Sequence, residues 1–247
     1  MFHPLGPSFY ELTVQALSST ERGYDLLAPK FEYTPFRTPD PVLATWAARV
    51  GAPGSIDTAL DVCCGTGAAM RFMRPLCRRA VVGIDFSAGM LDEARRRTAD
   101  AFGSSRVSFV RGNAFEMPFE GVFDLATSFG AFGHILPEDE PRFARAIARA
   151  LKPGGRFSFV TARLPKPLSK EWVVSRAFNA VMHVRNALVK PPFIMYYLTF
   201  LWPDVKSVLE ASGFDVEADE NAFGAPFERA IIVTATRRAD DGARSDR

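Results

Sequence analysis

Between residues 57 and 163 the apolar residues come in short runs separated by segments of longer period. The runs are "DTALDVCC", "AVVGIDF", "RVSFVRGNA", "FDLATSFG" and "RFSFVTAR", rich in Val, Ile and Phe. Runs of this length predict strands buried on both faces, and the segments between them predict amphipathic helices. "AAMRFMRPLC" predicts a helix ending near Pro75, and "AGMLDEARRRTADAF" a helix with Ser87 as N-cap. "EDEPRFARAIARALKPGG" sets Phe143, Ile147 and Leu151 on one helical face, with acids and Pro141 at its start and Gly154-Gly155 at its end. Repeated strand–helix–strand alternation predicts an α/β fold with a mostly parallel sheet and helices on both faces.

The flanks follow other rhythms. Residues 9–50 read as mostly helical, interrupted by Pro35, Pro39 and Pro41. Val42, Leu43, Trp46 and Val50 keep helical spacing, Gly51 suits a stop, and "GAPGS" marks a boundary. From 165 to 204, Pro165, Pro167, Pro191, Pro192 and Pro203 bracket helical, aromatic-rich segments. "DVKSVLEASGF" then predicts a helix stopping at Gly213, and "DVEADENAF" and "RAIIVTATRR" a last pair of strands, open to antiparallel pairing. The polar tail, 238–247, is expected to be disordered.

Length and composition narrow the classes. A chain of 247 residues with 47% hydrophobic content suits one embellished α/β domain or two small ones, with a sizeable core. A net charge of +2 gives no electrostatic case for a nucleic-acid partner. Cys63, Cys64 and Cys77 form no C-x-x-C pair, so neither a disulfide framework nor a zinc site is expected, and a reducing, cytoplasmic setting fits. "MFHPLGPSFYELTV" lacks the basic and apolar regions of a secretory signal. "FIMYYLTFLW", closed by Pro192 and Pro203, is too short for a transmembrane segment. Oligomeric state is not encoded in any readable motif.

The candidate chemistry lies at the first strand–turn–helix. In an open parallel sheet ligands bind where strands end and the order reverses. After the first strand, Gly65 and Gly67 permit close approach of a ligand to bare backbone, or simply a tight turn. The second strand ends in Asp85, where an acid is placed to bond a ribose diol or, alternatively, to cap the next helix. A dinucleotide fingerprint would want a small residue where Met70 stands, which weakens that reading.

Five segments in order resemble the class I S-adenosylmethionine-dependent methyltransferases, in their quinone and natural-product branch: "LDVCCGTG", "VVGIDFSAGML", "VRGNAFEMPF", "FDLATSFGAFGHI" and "LKPGGRFSFV". The resemblance covers residues 57–163 and, more loosely, 20–50 and 204–237. It implies a Rossmann-like seven-stranded sheet, with an N-terminal helical cap (1–50), a cofactor-binding core (51–164), a helical acceptor lid (165–204) and a C-terminal helix and strand pair (205–237). It implies that Asp85 holds the ribose, that Asn113 and Ala114 read the adenine, and that Phe86 walls it. Asp61 would hold the methionine amino group or organise the turn, and Cys63 replaces the family's usual first glycine. Gly65, Thr66, Gly67, Met90 and the Ser128 carbonyl complete the cofactor set, with Tyr24 and Tyr33 as candidate covers from "RGYDLLAPKFEY".

Sulfonium methyl transfer needs alignment and water exclusion, and no metal. His134, after the fourth strand, is the candidate base, or else a loop-bonding residue. His183, Tyr196, Tyr197 and Phe200 are candidate acceptor contacts in the lid, whose apolar phenolic character suits an aromatic or isoprenoid-like acceptor. The same segment also reads as a buried closing helix, or as a site of transient membrane contact, although it lacks a basic face. The expected function is O- or C-methylation of a small, largely apolar acceptor such as a quinone, polyketide or isoprenoid. The alternatives are a nicotinamide-dependent oxidoreductase and a non-catalytic protein that binds S-adenosylmethionine or S-adenosylhomocysteine.

Overall fold

The first predicted strand lies in the interior of the sheet, third of its seven strands. In a computed structural model, which describes residues 3–239, the chain begins with α1 (Phe9–Leu17), α2 (Thr20–Leu27), a 3-10 segment (Ala28–Tyr33) and α3 (Asp40–Val50). Then follow β1 (Ile56–Val62), α4 (Ala68–Met73), β2 (Cys77–Asp85), α5 (Ala88–Thr98), β3 (Arg106–Arg111), β4 (Phe123–Thr127), α6 (Glu140–Ala150) and β5 (Leu151–Ala162). The chain continues through α7 (Lys170–Leu188), α8 (Asp204–Ala211), β6 (Phe214–Asp219) and β7 (Ala230–Arg237). The sheet order is β3-β2-β1-β4-β5-β7-β6. β1 to β5 pair in parallel, whereas β7 runs antiparallel to both β5 and β6. The expected disorder of 240–247 lies outside the described residues.

Each face of the sheet carries its own core. Leu60 and Val62 of β1 point to one side, with Phe157 and Phe159 of β5, Phe143 and Ile147 of α6, and Leu209 of α8. Ala59 points to the other, with Leu43 and Trp46 of α3, Met70 and Met73 of α4, and Leu91 of α5. This is the two-residue alternation of a strand covered on both sides. Trp46 is fully buried, and its indole N–H donates to Ser158 Oγ at 3.1 Å, which satisfies its one donor.

Met70 is where the packing resolves a sequence puzzle. A bulky residue at that place blocks close helix–strand contact unless the strand yields. Here the strand yields: a Cβ on Gly83 of β2 would lie 2.6 Å from Met70 Sδ and 2.8 Å from Cys64 Sγ. Gly83→Ala is therefore expected to destabilise by about 1–3 kcal/mol through overpacking. Adding Met70→Ala should recover part of that loss in urea unfolding, because the two share one space.

Two expectations are corrected. Leu151 opens β5 instead of ending α6; its side chain is buried against the sheet and it pairs with Phe123. Lys152 precedes Pro153, and a residue before proline is disfavoured in helix, so the helix ends early. Residues 193–202 are not helical, and Leu198 and Phe200 take left-handed backbone, φ 63 and 56. The segment is tied down along its length: Tyr196 N–H donates to Gly133 O at 2.7 Å, and Phe200 N–H to Glu140 Oε1 at 2.8 Å. α7 lies against it through two amides seven positions apart. Asn179 exchanges two 2.8 Å bonds with the backbone of Tyr197, and Asn186 bonds both backbone polar groups of Phe193. No helix among the described residues is long and apolar enough to cross a membrane.

Candidate functional site

The strand order reverses between β1 and β4, so their carboxyl ends open a crevice. A cavity of about 790 Å³, its mouth included, lies there. Its floor is the end of β1 and the following turn, Asp61 and Cys63 to Thr66, with Asp85 and Phe86 from β2. Met90 of α5 and Phe129, Gly130, Ala131 and His134 after β4 form its sides. Tyr24, Phe31, Phe36, Arg37, Thr38 and Leu43, from the N-terminal helices, close it over.

The two turn glycines have different jobs. Gly65 (φ +52) has nothing within 4 Å of where a Cβ would be, so it leaves open space. Gly67 (φ +78) faces α5, and a Cβ there would meet Thr98 Cγ2 at 2.9 Å. Cys63, in the usual glycine position, also adopts left-handed backbone (φ 56). That conformation costs a side-chain-bearing residue roughly 1–2 kcal/mol.

Asp85 is drawn to this turn. Its Oδ2 accepts from Gly65 N–H at 2.9 Å and its Oδ1 from Ser87 N–H at 2.9 Å. An ionised carboxylate offers about four acceptor sites, so two remain. Ser87 caps α5 by accepting from Met90 N–H at 3.1 Å, and its hydroxyl donates to Asp25 Oδ1 at 2.6 Å. Burial pushes Asp85 up to about 6, with the charge of Asp25 adding to it against the backbone bonds.

Asp61 is also fully buried, and its Oδ1 has no hydrogen-bond partner among the described residues. Burial first, then the charge of Asp85, holds its carboxyl well above the usual range. Burial likewise raises the thiols of Cys63 and Cys64. Among the described residues Arg37 is the one basic side chain on the cavity wall besides the imidazole; it is paired with Glu32 at 2.8 Å and with Asp40, and Glu32 accepts from Thr66 Oγ1 at 2.6 Å. Two buried acids against one guanidinium suit a ligand that carries positive charge.

His134 and Tyr24 form a bonded pair on the opposite wall. His134 Nδ1 bonds the Ile194 carbonyl, which can only accept, so Nδ1 carries the proton. Nε2 is then an acceptor, and the Tyr24 hydroxyl donates to it at 2.7 Å. Burial lowers the imidazole pKa, opposed by the Ile194 bond. Burial, with Asp85 and Cys63, raises the Tyr24 phenol.

Residues 59–155 match the model of a family described as a methyltransferase domain. A demethylmenaquinone methyltransferase of Clavibacter sepedonicus is 34% identical over 182 residues, 67% of this chain and 69% of that protein. The chain belongs to the class I S-adenosylmethionine-dependent methyltransferases. A 2-phytyl-1,4-naphtoquinone methyltransferase of Trichormus variabilis is 35% identical over 112 residues, 44% of this chain. The chain spans 48% of the length of that relative. The fold matches a solved structure of a DhpI complex with S-adenosylhomocysteine at TM-score 0.65 and 18% identity, over 94% of this chain and 100% of that one.

The cavity gathers Asp61, Cys63, Gly65, Thr66, Asp85, Phe86, Met90, Tyr24 and His134 from the expected site. Gly67 packs behind it. Asn113 and Ala114 lie off the cavity wall: Asn113 is exposed and its Oδ1 accepts from Phe115 N–H at 3.0 Å, while Ala114 packs on the core. Ser128 is buried between sheet and wall, and Tyr33 stacks on His3 at 4.9 Å. Tyr196 is buried in the cluster beneath α7, Tyr197 is half exposed, and His183 is exposed, 3.4 Å from Tyr196 Oη. Phe200 is in the core, its ring stacked on Phe132 at 4.5 Å. Phe31, Phe36, Arg37, Thr38 and Phe129 were not expected in the site; the one sequence signal was the aromatic and basic run "KFEYTPFRTP" next to the predicted cover.

Proposed function

We propose that this methyltransferase transfers a methyl group to an oxygen or carbon of a small apolar acceptor of the quinone class, in the cytoplasm. The reading rests on the buried Asp61 oxygen without a partner, set beside Asp85 in an aromatic-walled cavity. These residues fit S-adenosylmethionine: an anionic floor for its positive charges, two free acceptor sites on Asp85 for a ribose diol, and Phe86 and Met90 as apolar wall. Relatives named for phytyl-naphthoquinone and demethylmenaquinone support the acceptor class.

Bound S-adenosylmethionine supplies an electrophilic methyl on a cationic sulfur. Asp61 would hold the ammonium of the methionine part, and Arg37 its carboxylate, beside the Glu32 and Asp40 carboxylates already paired with it. Tyr24 Oη receives the acceptor's proton while passing its own to His134 Nε2, and the Ile194 carbonyl steadies the imidazolium that results. A nicotinamide-dependent enzyme is disfavoured by Met70 at the fingerprint's small position.

Titration calorimetry with S-adenosylmethionine and NADH tests the reading. Asp85→Ala should weaken S-adenosylmethionine by about 1.5–3 kcal/mol, the range for hydrogen bonds to a charged group. The pH dependence has two opposite signs. Asp85 rises from 3.8 to about 6 on folding, so between those values the native state holds more protons than the unfolded one. Its contribution therefore makes stability fall as pH rises through that window. Cofactor affinity should do the reverse, falling about tenfold per unit below pH 6, because the ionised carboxylate accepts the diol. Unchanged affinity in a folded Asp85→Ala variant would remove Asp85 from the site.

A further inference from the structure

α7 exposes the wrong kind of surface for a helix in water. Val173, Ala177, Ala180, Val184 and Ala187 follow alternating steps of four and three, with Val174, Val181 and Leu188 alongside. All eight are solvent-exposed: Val181 is 64% exposed, Val184 59% and Leu188 79%. Leu168, just before the helix, is 80% exposed. Met182 is the single buried residue among the helix's nineteen, and it belongs to the opposite face, with Phe178, Asn179 and Asn186. So one face grips the segment 193–197 and the other is a continuous apolar stripe. A stripe of this kind marks an interaction surface.

The charges around the stripe say what it meets. Between residues 164 and 190 there are five bases against one acid, Glu171; Arg185 is spent on the Ala16, Ser18 and Pro191 carbonyls, which leaves Lys166, Lys170, Arg176 and Lys190 around the stripe. The whole chain is only +2, so the excess is local. Glu171 is itself paired with Arg229 at 3.4 Å. A second copy docked face to face would set these bases against each other with no free acid to pair them. An anionic surface complements them, and it also accepts the apolar stripe.

We propose that α7 is a docking helix for a lipid surface bearing anionic headgroups, with Val173, Val181, Val184 and Leu188 entering the interface and the flanking lysines bonding headgroups. This stands on its own observation and does not depend on which acceptor is methylated. The inner amides Asn179 and Asn186 hold residues 193–197, so docking sets that segment at the lipid boundary.

The test is co-sedimentation of the full chain with vesicles of phosphatidylcholine alone and of phosphatidylcholine mixed equally with phosphatidylglycerol. Binding should be at least about tenfold stronger on the anionic vesicles and should weaken as salt is raised. Val181→Asp/Leu188→Asp should abolish it with an unchanged melting temperature, since both side chains already face water. Phe102→Asp, at another 84% exposed apolar residue off this helix, should bind like the wild type. The proposal fails if wild type ignores anionic vesicles or if Val181→Asp/Leu188→Asp binds undiminished. It also fails if light scattering finds a dimer that the same pair of substitutions dissolves, which would assign the stripe to a second copy.

Discussion

Phe200→Ala is expected to lower the free energy of unfolding by about 3–5 kcal/mol, the range for removing a buried Phe ring. The ring is fully buried, stacked on Phe132 at 4.5 Å and flanked by Phe159 at 5.4 Å and Phe143 at 5.8 Å. Its backbone is held in left-handed geometry by Thr161 Oγ1, which donates to its carbonyl at 2.8 Å, and by Glu140, which accepts from its N–H. Neighbours fixed on three sides collapse poorly into the space left behind. Urea unfolding measures the loss. A stable variant with a raised acceptor KM would instead return Phe200 to the acceptor surface, where the apolar run in the sequence had suggested it.

His134→Gln should lower kcat by roughly 10²–10⁴, the usual contribution of a positioned proton acceptor, and leave S-adenosylmethionine affinity within a few-fold. Tyr24→Phe should lose a comparable factor. The combined variant should be little worse than either single one, because a bonded pair moves one proton and its losses do not multiply. The falling acidic limb of the rate, set by protonation of a buried imidazole whose pKa lies below its ordinary value, should vanish in both variants. Multiplying losses in the double variant would show that the residues act apart, and a wild-type rate in His134→Gln would return the histidine to loop bonding.

Most of the sheet could be read from the residues alone because its signals are local. Strand runs, the Ser87 cap, the Gly213 stop and the strand-tip position of Asp85 each need only a few neighbours in sequence. The α6–β5 boundary failed because Leu151 keeps helical spacing with Ile147, and only the following proline argues otherwise. Segment 193–202 failed for a different reason: its composition suits a helix, but its backbone bonds go to Gly133, Glu140 and Ala162, which are distant in the chain. Within the site, Asp61, Asp85 and the turn were legible from their motif. Arg37, Phe31 and Phe36 were not, since their place depends on how the N-terminal helices fold over the sheet. Asn113 lies in the expected loop, off the cavity wall, with its Oδ1 accepting from Phe115 N–H.

The contrast between Gly65 and Gly67 carries a lesson for reading relatives. One faces open space on the cavity side; the other is squeezed by a neighbouring helix whether or not the cavity is filled. Under the proposed function, a side chain at Gly65 would cost binding and leave the fold intact, whereas one at Gly67 would cost the fold itself, so the pair separates what the ligand requires from what the architecture requires.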